Sequence, residues 1–259
     1  MIINNNISAL NTRNQLYVTN SAMSKSMEKL SSGKRINRAA DDAAGLSISE
    51  KMRAQIRGLN QAVRNAQDGI SFIQTAEGAL DEVSNMLVRL KELAVQKANG
   101  TYNPEDKANL SLEMDQLGKE IKSIYENTKF NGMKVLSTPI SIAVDDTARK
   151  VGIETITGTI AASFTSLTSG STVGDIDAAI KTINNARATY GSMQNRLEST
   201  VRNLKTTAEN LQAAESRIRD TDMAEEMSTF TKYSILVQAG TAMLAQANML
   251  PQNVLSLLR

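Results

Sequence analysis

Three pairs of identical adjacent acidic residues are candidates for carboxylate chemistry: Asp41-Asp42, Asp145-Asp146 and Glu225-Glu226. Neighbouring carboxylates can share a proton or hold a divalent cation. The first and third pairs stand where helices are expected to begin, and negative charge there complements the helix dipole. Asp145-Asp146 falls at the expected tip of a hairpin and lacks the alternating oxygen ligands of a calcium loop. We therefore expect helix-start and turn roles for these pairs.

A short basic group, Lys34, Arg35 and Arg38, offers the opposite chemistry. It could bind phosphate or a membrane surface. The alternative is a solvated linker between two helical segments, and we favour this interpretation because charge runs are usually solvated.

Composition argues against an enzyme. The 259 residues include no His and no Cys, which removes the commonest general base, thiolate nucleophiles and thiolate metal sites. No glycine-rich phosphate-binding loop is present. We expect no catalytic residue, no cofactor and no metal. A net charge of +2, without a basic run that carries aromatic residues, predicts no nucleic-acid partner.

The sequence carries neither of the two common membrane signals. It opens Met1-Ile2-Ile3 with no basic segment and no small-residue cleavage site, so we expect no secretory leader. No uninterrupted apolar run reaches membrane length, so membrane insertion is not expected. The chain is either cytoplasmic or exported by a route that needs no cleaved leader.

The two ends of the chain share an unusual pattern. Residues 233–258 contain no charged side chain, and Arg13 is the only one before Lys25. Both segments place large apolar residues at the 3.5-residue period of a coiled coil. Because they lack charge on every face, we predict that they pair with each other and bury their remaining faces in other copies of the chain. The predicted subunit-interface residues are Leu10, Tyr17, Leu236, Met243, Leu250 and Leu257.

Between the ends, the sequence predicts a mainly α fold of long, coiled-coil-like helical rods. One apolar seam runs from Met52 to Ala94, about six heptads or roughly 65 Å of helix, and it ends near Asn99-Gly100. Pro104 predicts the start of the next helix, with Asn103 as its cap. A further seam runs from Ile176 to Ile218. Asp222 and Glu225 can form a capping box for the last helix.

Only the middle of the chain departs from helix. Asn131-Gly132 is a turn dipeptide, alternating apolar residues at 140–144 and 151–153 predict a β-hairpin, and 155–175 read as a Thr/Ser/Gly-rich loop. The expected domains are a terminal coiled coil of 1–32 and 223–259, a linker at 33–44, and a helical rod domain at 45–222 with the hairpin and loop insertion at about 137–175.

Several blocks of sequence resemble bacterial flagellin. They cover residues 1 to 136 and 176 to 259, in family order and with little insertion. The blocks are LSSGKRIN at 30–37, DDAAGL at 41–46, RNAQDGIS at 64–71, AEGAL at 76–80, LKELAVQ at 90–96, ESRIRDTDMAEE at 215–226 and QAN at 246–248.

The resemblance implies a fold and a structural role. Flagellins have an inner coiled coil of both chain ends and a rod domain with a β-hairpin; only about 40 residues separate the matching halves here, so the outer domains of longer members are expected to be absent. The implied function is a secreted subunit, exported unfolded by the flagellar type III apparatus, that polymerises into the extracellular filament for motility. Implied partners are further copies of the chain, an export chaperone, and the cap and hook-junction proteins.

Two alternatives to a filament subunit share part of this pattern. The flagellin-like protein at the junction between hook and filament shares the same chain ends, but the nearly complete C-terminal match favours the filament subunit. A membrane-active amphipathic protein would need cationic end helices, and these are nearly neutral.

The family resemblance also implies a receptor epitope. The vertebrate flagellin-sensing Toll-like receptor contacts the outer face of the long rod and the helix after it. The matching positions are Arg89, Leu93 and Glu113, with Val88 where the family usually carries Gln. Arg89 and Leu93 are four residues apart on one helix and share a face. We predict that the three residues form a surface buried between subunits along the filament and open to the receptor in monomers; the alternative places Leu93 in the core of the rod.

Overall fold

The computed structural model describes residues 6–145, 147, 149–153 and 170–257. Within these ranges the chain forms five helices, and the predicted mainly α fold of long rods is confirmed. Most of the predicted Thr/Ser-rich loop lies outside the described residues. The helices are α1 (Ile7–Ser32), α2 (Ala43–Ala98), α3 (Pro104–Asn127), α4 (Val173–Arg219) and α5 (Met223–Leu257).

Local sequence signals set the ends of α1 and α3. The side chain of Asn6 accepts a hydrogen bond from the Ala9 N–H (3.1 Å) and so caps the start of α1. Gly33 ends α1 at φ 68°, a left-handed conformation that glycine adopts without a Cβ penalty. Pro104 opens α3 as predicted, but the side chain of Asn103 makes no capping hydrogen bond.

Two further caps set the starts of α4 and α5. Thr172 and Asp175 form a reciprocal capping box: the Thr172 N–H donates to the Asp175 carboxylate (2.9 Å), and the Asp175 N–H donates to the Thr172 hydroxyl (3.3 Å). The bond from Thr172 holds the pKa of Asp175 below its usual value. Before α5, the Asp222 carboxylate accepts the Ala224 N–H (2.8 Å) and the Glu225 N–H (3.3 Å), which is the capping role predicted for Asp222.

The strands form two antiparallel hairpins. β3 (Ile140–Ala143) pairs with β4 (Lys150–Ile153) in the register Ile140↔Ile153 and Ile142↔Val151, so the predicted hairpin is confirmed. β1 (Lys129–Phe130) and β2 (Met133–Lys134) flank the predicted Asn131-Gly132 turn. Both turn residues have positive φ, 48° and 79°, as a two-residue hairpin requires. The pairing of β1 with β2 was not predicted.

The chain divides into two compact units, residues 1–54 with 210–259 and residues 55–209. In the first unit, α1 packs against α5, which confirms the predicted pairing of the two chain ends. In the second unit, α2, α3 and α4 enclose a core of aliphatic side chains and a single tyrosine. The largest fully buried members are Ile73, Leu80, Leu87, Leu90, Leu93, Met114, Ile121, Ile176, Ile183 and Tyr190.

The hairpins cover part of this second core. The rings of Phe72 on α2 and Phe130 on β1 meet edge to face at a centroid distance of 5.9 Å. Asn65 on α2 donates from its side-chain amide to the Ala143 carbonyl (3.2 Å). Gly69 lets β3 approach α2 closely, because a Cβ at that position would collide with Cδ1 of Ile142.

Candidate assembly surface

The antiparallel pair of α1 and α5 is held together by contacts between residues far apart in the chain. Near one end, the Asn6 side-chain amide donates to the Ala247 carbonyl (2.8 Å), across 241 residues of sequence. Near the middle, a Cβ added to Gly240 would lie 3.1 Å from Cδ1 of Leu16, so this glycine permits a close approach of the two helices. The two chain ends therefore pack together as one antiparallel pair of helices.

At the other end of the pair, Glu226 on α5 is the central polar contact. Its carboxylate accepts a short hydrogen bond from the hydroxyl of Ser26, a buried residue of α1. Lys29 Nζ lies 3.6 Å from the same carboxylate, and the Glu226 side chain is 13% exposed. One member of the Glu225-Glu226 pair thus joins the two helices, beyond the helix-start role expected for it.

Many large apolar side chains of this helix pair are exposed. Eleven of the sixteen exposed large hydrophobic side chains in the described ranges belong to α1 or α5. We call them the terminal apolar surface. It consists of Ile7, Leu10, Tyr17, Val18, Met27, Met223, Met227, Ile235, Leu236, Met243 and Met249.

Four of the six predicted subunit-interface residues belong to the terminal apolar surface. They are Leu10, Tyr17, Leu236 and Met243, and Tyr17 is the most exposed of them at 78%. The side chains of Leu250 and Leu257 lie outside the described part of the structure. A concentration of exposed large apolar side chains on one helix pair indicates an interaction site. No helix in the described ranges is long and apolar enough to cross a membrane.

The predicted linker at 33–44 is held in place by the segment that joins α4 to α5. Lys34 and Asp220 form an antiparallel β-bridge. The Arg35 N–H donates to the Arg219 carbonyl (2.7 Å), and its guanidinium donates to the Ile218 carbonyl (2.6 Å). Ile36 is buried at 2% exposure.

The remaining polar groups of the linker are also engaged. Arg38 forms a bidentate ion pair with Glu28, from Nε to Oε1 (3.0 Å) and from Nη2 to Oε2 (3.3 Å). Asp41 accepts N–H bonds from Arg38 (3.0 Å) and Asn37 (3.3 Å), and the bond from Arg38 is the main cause of its lowered pKa. The Asp42 carboxylate accepts the Gly45 N–H (2.8 Å) near the start of α2. The basic group is thus partly engaged in the fold, where the sequence favoured a solvated linker.

The hairpin acids show no metal-binding arrangement in the described ranges. Asp145 forms a long ion pair with Arg149 (3.9 Å), and Asp146 lies outside the described residues. The part of the chain that the structure describes contains no group of three His, Cys, Asp or Glu residues able to hold a metal ion.

The three predicted receptor and axial-contact residues separate into a surface pair and a core residue. The Arg89 guanidinium reaches the Glu113 carboxylate from Nη2 (3.0 Å) and Glu92 from Nη1 (3.1 Å). The hydrogen bond to Glu113 is the main cause that raises the pKa of Arg89, and the hydrogen bond to Glu92 adds to it. Leu93 is 1% exposed, so its place in the predicted surface requires correction. It packs in the rod core, as the alternative held, and the surface consists of Arg89 and Glu113.

A second exposed apolar patch lies beside Arg89 on α2. Val88 and Val95 are about half exposed, at 49% and 55%. With Lys91, Glu92 and Gln96 they line a shallow depression of about 450 Å³. The sequence singled out Val88 only as a departure from the family pattern and missed Val95, although the seven-residue spacing of the two valines places both on one face.

Comparison with known proteins gives consistent matches along the whole chain. Residues 3–139 match the family model of the bacterial flagellin N-terminal helical region, and residues 173–258 match that of the C-terminal helical region. The chain is similar to a flagellin of Halalkalibacterium halodurans (52% identity) and a flagellin of Bacillus subtilis (49%). It is also similar to a flagellar filament 31.3 kDa core protein of Treponema maltophilum (49%). Each of the three alignments covers 100% of both chains.

Proposed function

This chain belongs to the bacterial flagellin family and is a structural subunit of the flagellar filament, and we propose that it polymerises through the terminal apolar surface. Flagellins are structural proteins. The relatives that match over their full lengths are named flagellins or filament core proteins, so the filament subunit is favoured over the hook–filament junction protein.

The observation that carries this proposal is the exposure of the terminal apolar surface in the single chain. Fully burying an aliphatic side chain is worth about 1.5–3 kcal/mol. Tyr17 and Met243 are 78% and 62% exposed, so most of that free energy is still available at these positions when the subunit stands alone. Contact with further copies of the chain would bury these side chains and so provide this free energy. The contact must be head-to-tail and must not close on itself, since only then does the assembly extend as a filament.

Export is the second part of the proposal. The subunit is secreted unfolded through the flagellar type III apparatus, with an export chaperone that covers it before transit and with cap and hook-junction proteins that receive it outside the cell. The absence of Cys supports this, because no disulfide opposes unfolding. The apolar character of α5 supports a chaperone, since such a segment associates non-specifically when it is unfolded.

Arg89 and Glu113 carry the third part of the proposal. They form an exposed, charged pair between α2 and α3, next to the depression at Val88 and Val95. We assign this patch to an axial contact between subunits that is also open to the flagellin-sensing Toll-like receptor in monomers. Arg89→Ala should then weaken both filament assembly and receptor activation, with unchanged helix content. Loss of signalling with normal filaments would leave only a receptor role.

Elongation of short filament seeds by purified subunits tests the terminal apolar surface. Tyr17→Asp should stop elongation, because an unpaired charge would be buried in the packed lattice. Tyr17→Phe is the matched control: it keeps the ring, and elongation should continue at nearly the parent rate. Normal filaments from Tyr17→Asp would remove this face from the subunit interface.

A further inference from the structure

Methionine carries all the sulfur in this chain, and several methionines are exposed on the pair of α1 and α5. The sequence has 12 Met, no Cys and no Trp. Five methionines of the terminal apolar surface are between 48% and 62% exposed. We call these the terminal methionines. They are Met27, Met223, Met227, Met243 and Met249.

Their positions follow the contact between α1 and α5. Met27 and Met227 adjoin Ser26 and Glu226, whose hydrogen bond ties the two helices together, so the two thioethers stand at the same level of the pair. Met223 lies four residues before Met227 and therefore on the same side of α5. Met243 and Met249 flank Ala247, which contacts Asn6 at the opposite end. Both ends of the pair thus carry exposed thioethers.

Methionines elsewhere in the described ranges differ in exposure or in place. Met114 is buried in the second unit at 1% exposure, where an oxidant has little access. Met133 is 43% exposed but lies on β2, outside the terminal apolar surface. These two residues provide internal controls, one for burial and one for location.

We propose that the terminal methionines are an oxidation site of the unassembled subunit, and that their conversion to sulfoxides by a peroxide excludes the subunit from the filament. This inference rests on the proposed function. In the reaction, the thioether sulfur attacks one peroxide oxygen and the O–O bond breaks. The sulfur is oxidised by two electrons to the sulfoxide, and the departing hydroxide takes the proton of the transferred oxygen and leaves as water.

The effect follows from what oxidation does to a side chain. A sulfoxide is polar and less adaptable than the flexible, apolar thioether, so it is poorly suited to an interface built from methionine. Five conversions would place polar oxygens along both ends of a surface that must lose its water on assembly. Subunits already in the filament have these sulfurs covered and keep them reduced.

The test treats folded, full-length subunits with dilute hydrogen peroxide and then measures elongation of filament seeds. Peptide mass spectrometry should find the terminal methionines and Met133 oxidised and Met114 intact. The elongation rate should fall by about tenfold or more. The two methionine sulfoxide reductases, one for each epimer, should restore it. Peroxide treatment of finished filaments should oxidise Met133 while the terminal methionines are protected.

Variants give the matched control. In a chain with all five terminal methionines changed to Leu, peroxide should leave the elongation rate at the value of the same variant without peroxide, whereas Met133→Leu should stay as sensitive as the parent. Oxidised subunits that elongate at the parent rate would overturn the proposal, as would a five-Leu chain that remains sensitive. If the five-Leu chain fails to assemble, the reductases still provide a test on the parent chain. An oxidised parent whose elongation rate is not restored by the reductases would count against the proposal. Untreated subunits that never elongate seeds would instead contradict the proposed function.

Discussion

Arg219 Nη1 lies 2.5 Å from the Glu50 carboxylate, across 169 residues of sequence. The arginine side chain is only 10% exposed, whereas that of Glu50 is 54% exposed. Arg219 Nε is buried without a hydrogen-bond partner in the described part of the chain. Glu50 therefore supplies the ionic partner of a nearly buried cation, close to the segments that join α1 to α2 and α4 to α5.

The Glu50–Arg219 pair should make stability depend on pH in the acid range. The hydrogen bond from Arg219 is the main cause that lowers the pKa of Glu50 below its ordinary 4.5. A lowered carboxyl pKa adds stability that is present above the ordinary value and is lost as pH falls towards the folded-state value. Glu50→Gln should therefore lower Tm at pH 7, and the difference from the parent should close below pH 4.5.

Thermal melts followed by circular dichroism at several pH values measure this effect. Glu126→Gln is a suitable control, because its partner Lys122 and the carboxylate itself are both about half exposed. A difference between Glu50→Gln and the parent that is as large at about pH 3 as at pH 7 would show that the charge of Glu50 is not what stabilises the fold.

Leu93 and Arg89 should respond differently to truncation. Leu93 is fully buried, so Leu93→Ala should lower the free energy of unfolding by about 2–5 kcal/mol through lost burial and a residual cavity. Arg89→Ala should change stability little, because exposed ion pairs contribute little. Urea denaturation measures both, with exposed Val95→Ala as the aliphatic control. Equal, small losses at positions 93 and 95 would contradict the core assignment.

Two glycines within α2 should give opposite results when changed to Ala. A Cβ at Gly78 meets no atom within 4 Å, so Gly78→Ala should raise the free energy of unfolding by about 0.5–1 kcal/mol through helix propensity. A Cβ at Gly69 would displace buried Ile142, so Gly69→Ala should lower it. Chemical denaturation of both variants provides the test, and equal stability of the two would rule out a close contact at Gly69.

Ser26 should matter for the pairing of the chain ends. Ser26→Ala removes a hydrogen bond to the Glu226 carboxylate and should cost about 1–3 kcal/mol, seen as faster amide hydrogen exchange in α1 and α5. Ser24→Ala is the matched control, because the exposed Ser24 hydroxyl donates only to the Asn20 carbonyl of the same helix. Similar exchange in both variants would mean that Ser26 contributes nothing specific.

Heptad spacing and local signals predicted most of the fold. Gly33, Pro104 and the Asn131-Gly132 turn each fix a backbone conformation through their own chemistry, so their effects can be predicted from the sequence. The missing charges of the end segments likewise predicted that the two end helices pair with each other. The two-residue strands β1 and β2 are too short for a periodicity to show.

The burial of Leu93 could not be derived from a single seam. Ion pairs from Arg89 to Glu113 and from Lys91 to Asp177 place α3 and α4 against the same stretch of α2. A helix between two neighbours buries a wider stripe than a coiled-coil seam, so positions beside the seam also enter the core. The nearest partner of Gly69 was equally hard to predict, because it is the hairpin residue Ile142, which lies nearer than Leu197 of α4.

The bond between Asn6 and Ala247 makes the terminal helix pair depend on a chain that carries both of its ends. Neither half of the pair exists as a unit until both ends of the chain are present, and closing so long a loop makes this contact a late one. A product that stops before Met223 lacks α5 and cannot build the surface that we assign to growth. Incomplete chains should therefore fail to add to a growing filament, without the action of another protein. The test mixes such truncated chains with intact subunits. If the truncated chains are not incorporated and do not slow elongation, the requirement for both chain ends is confirmed.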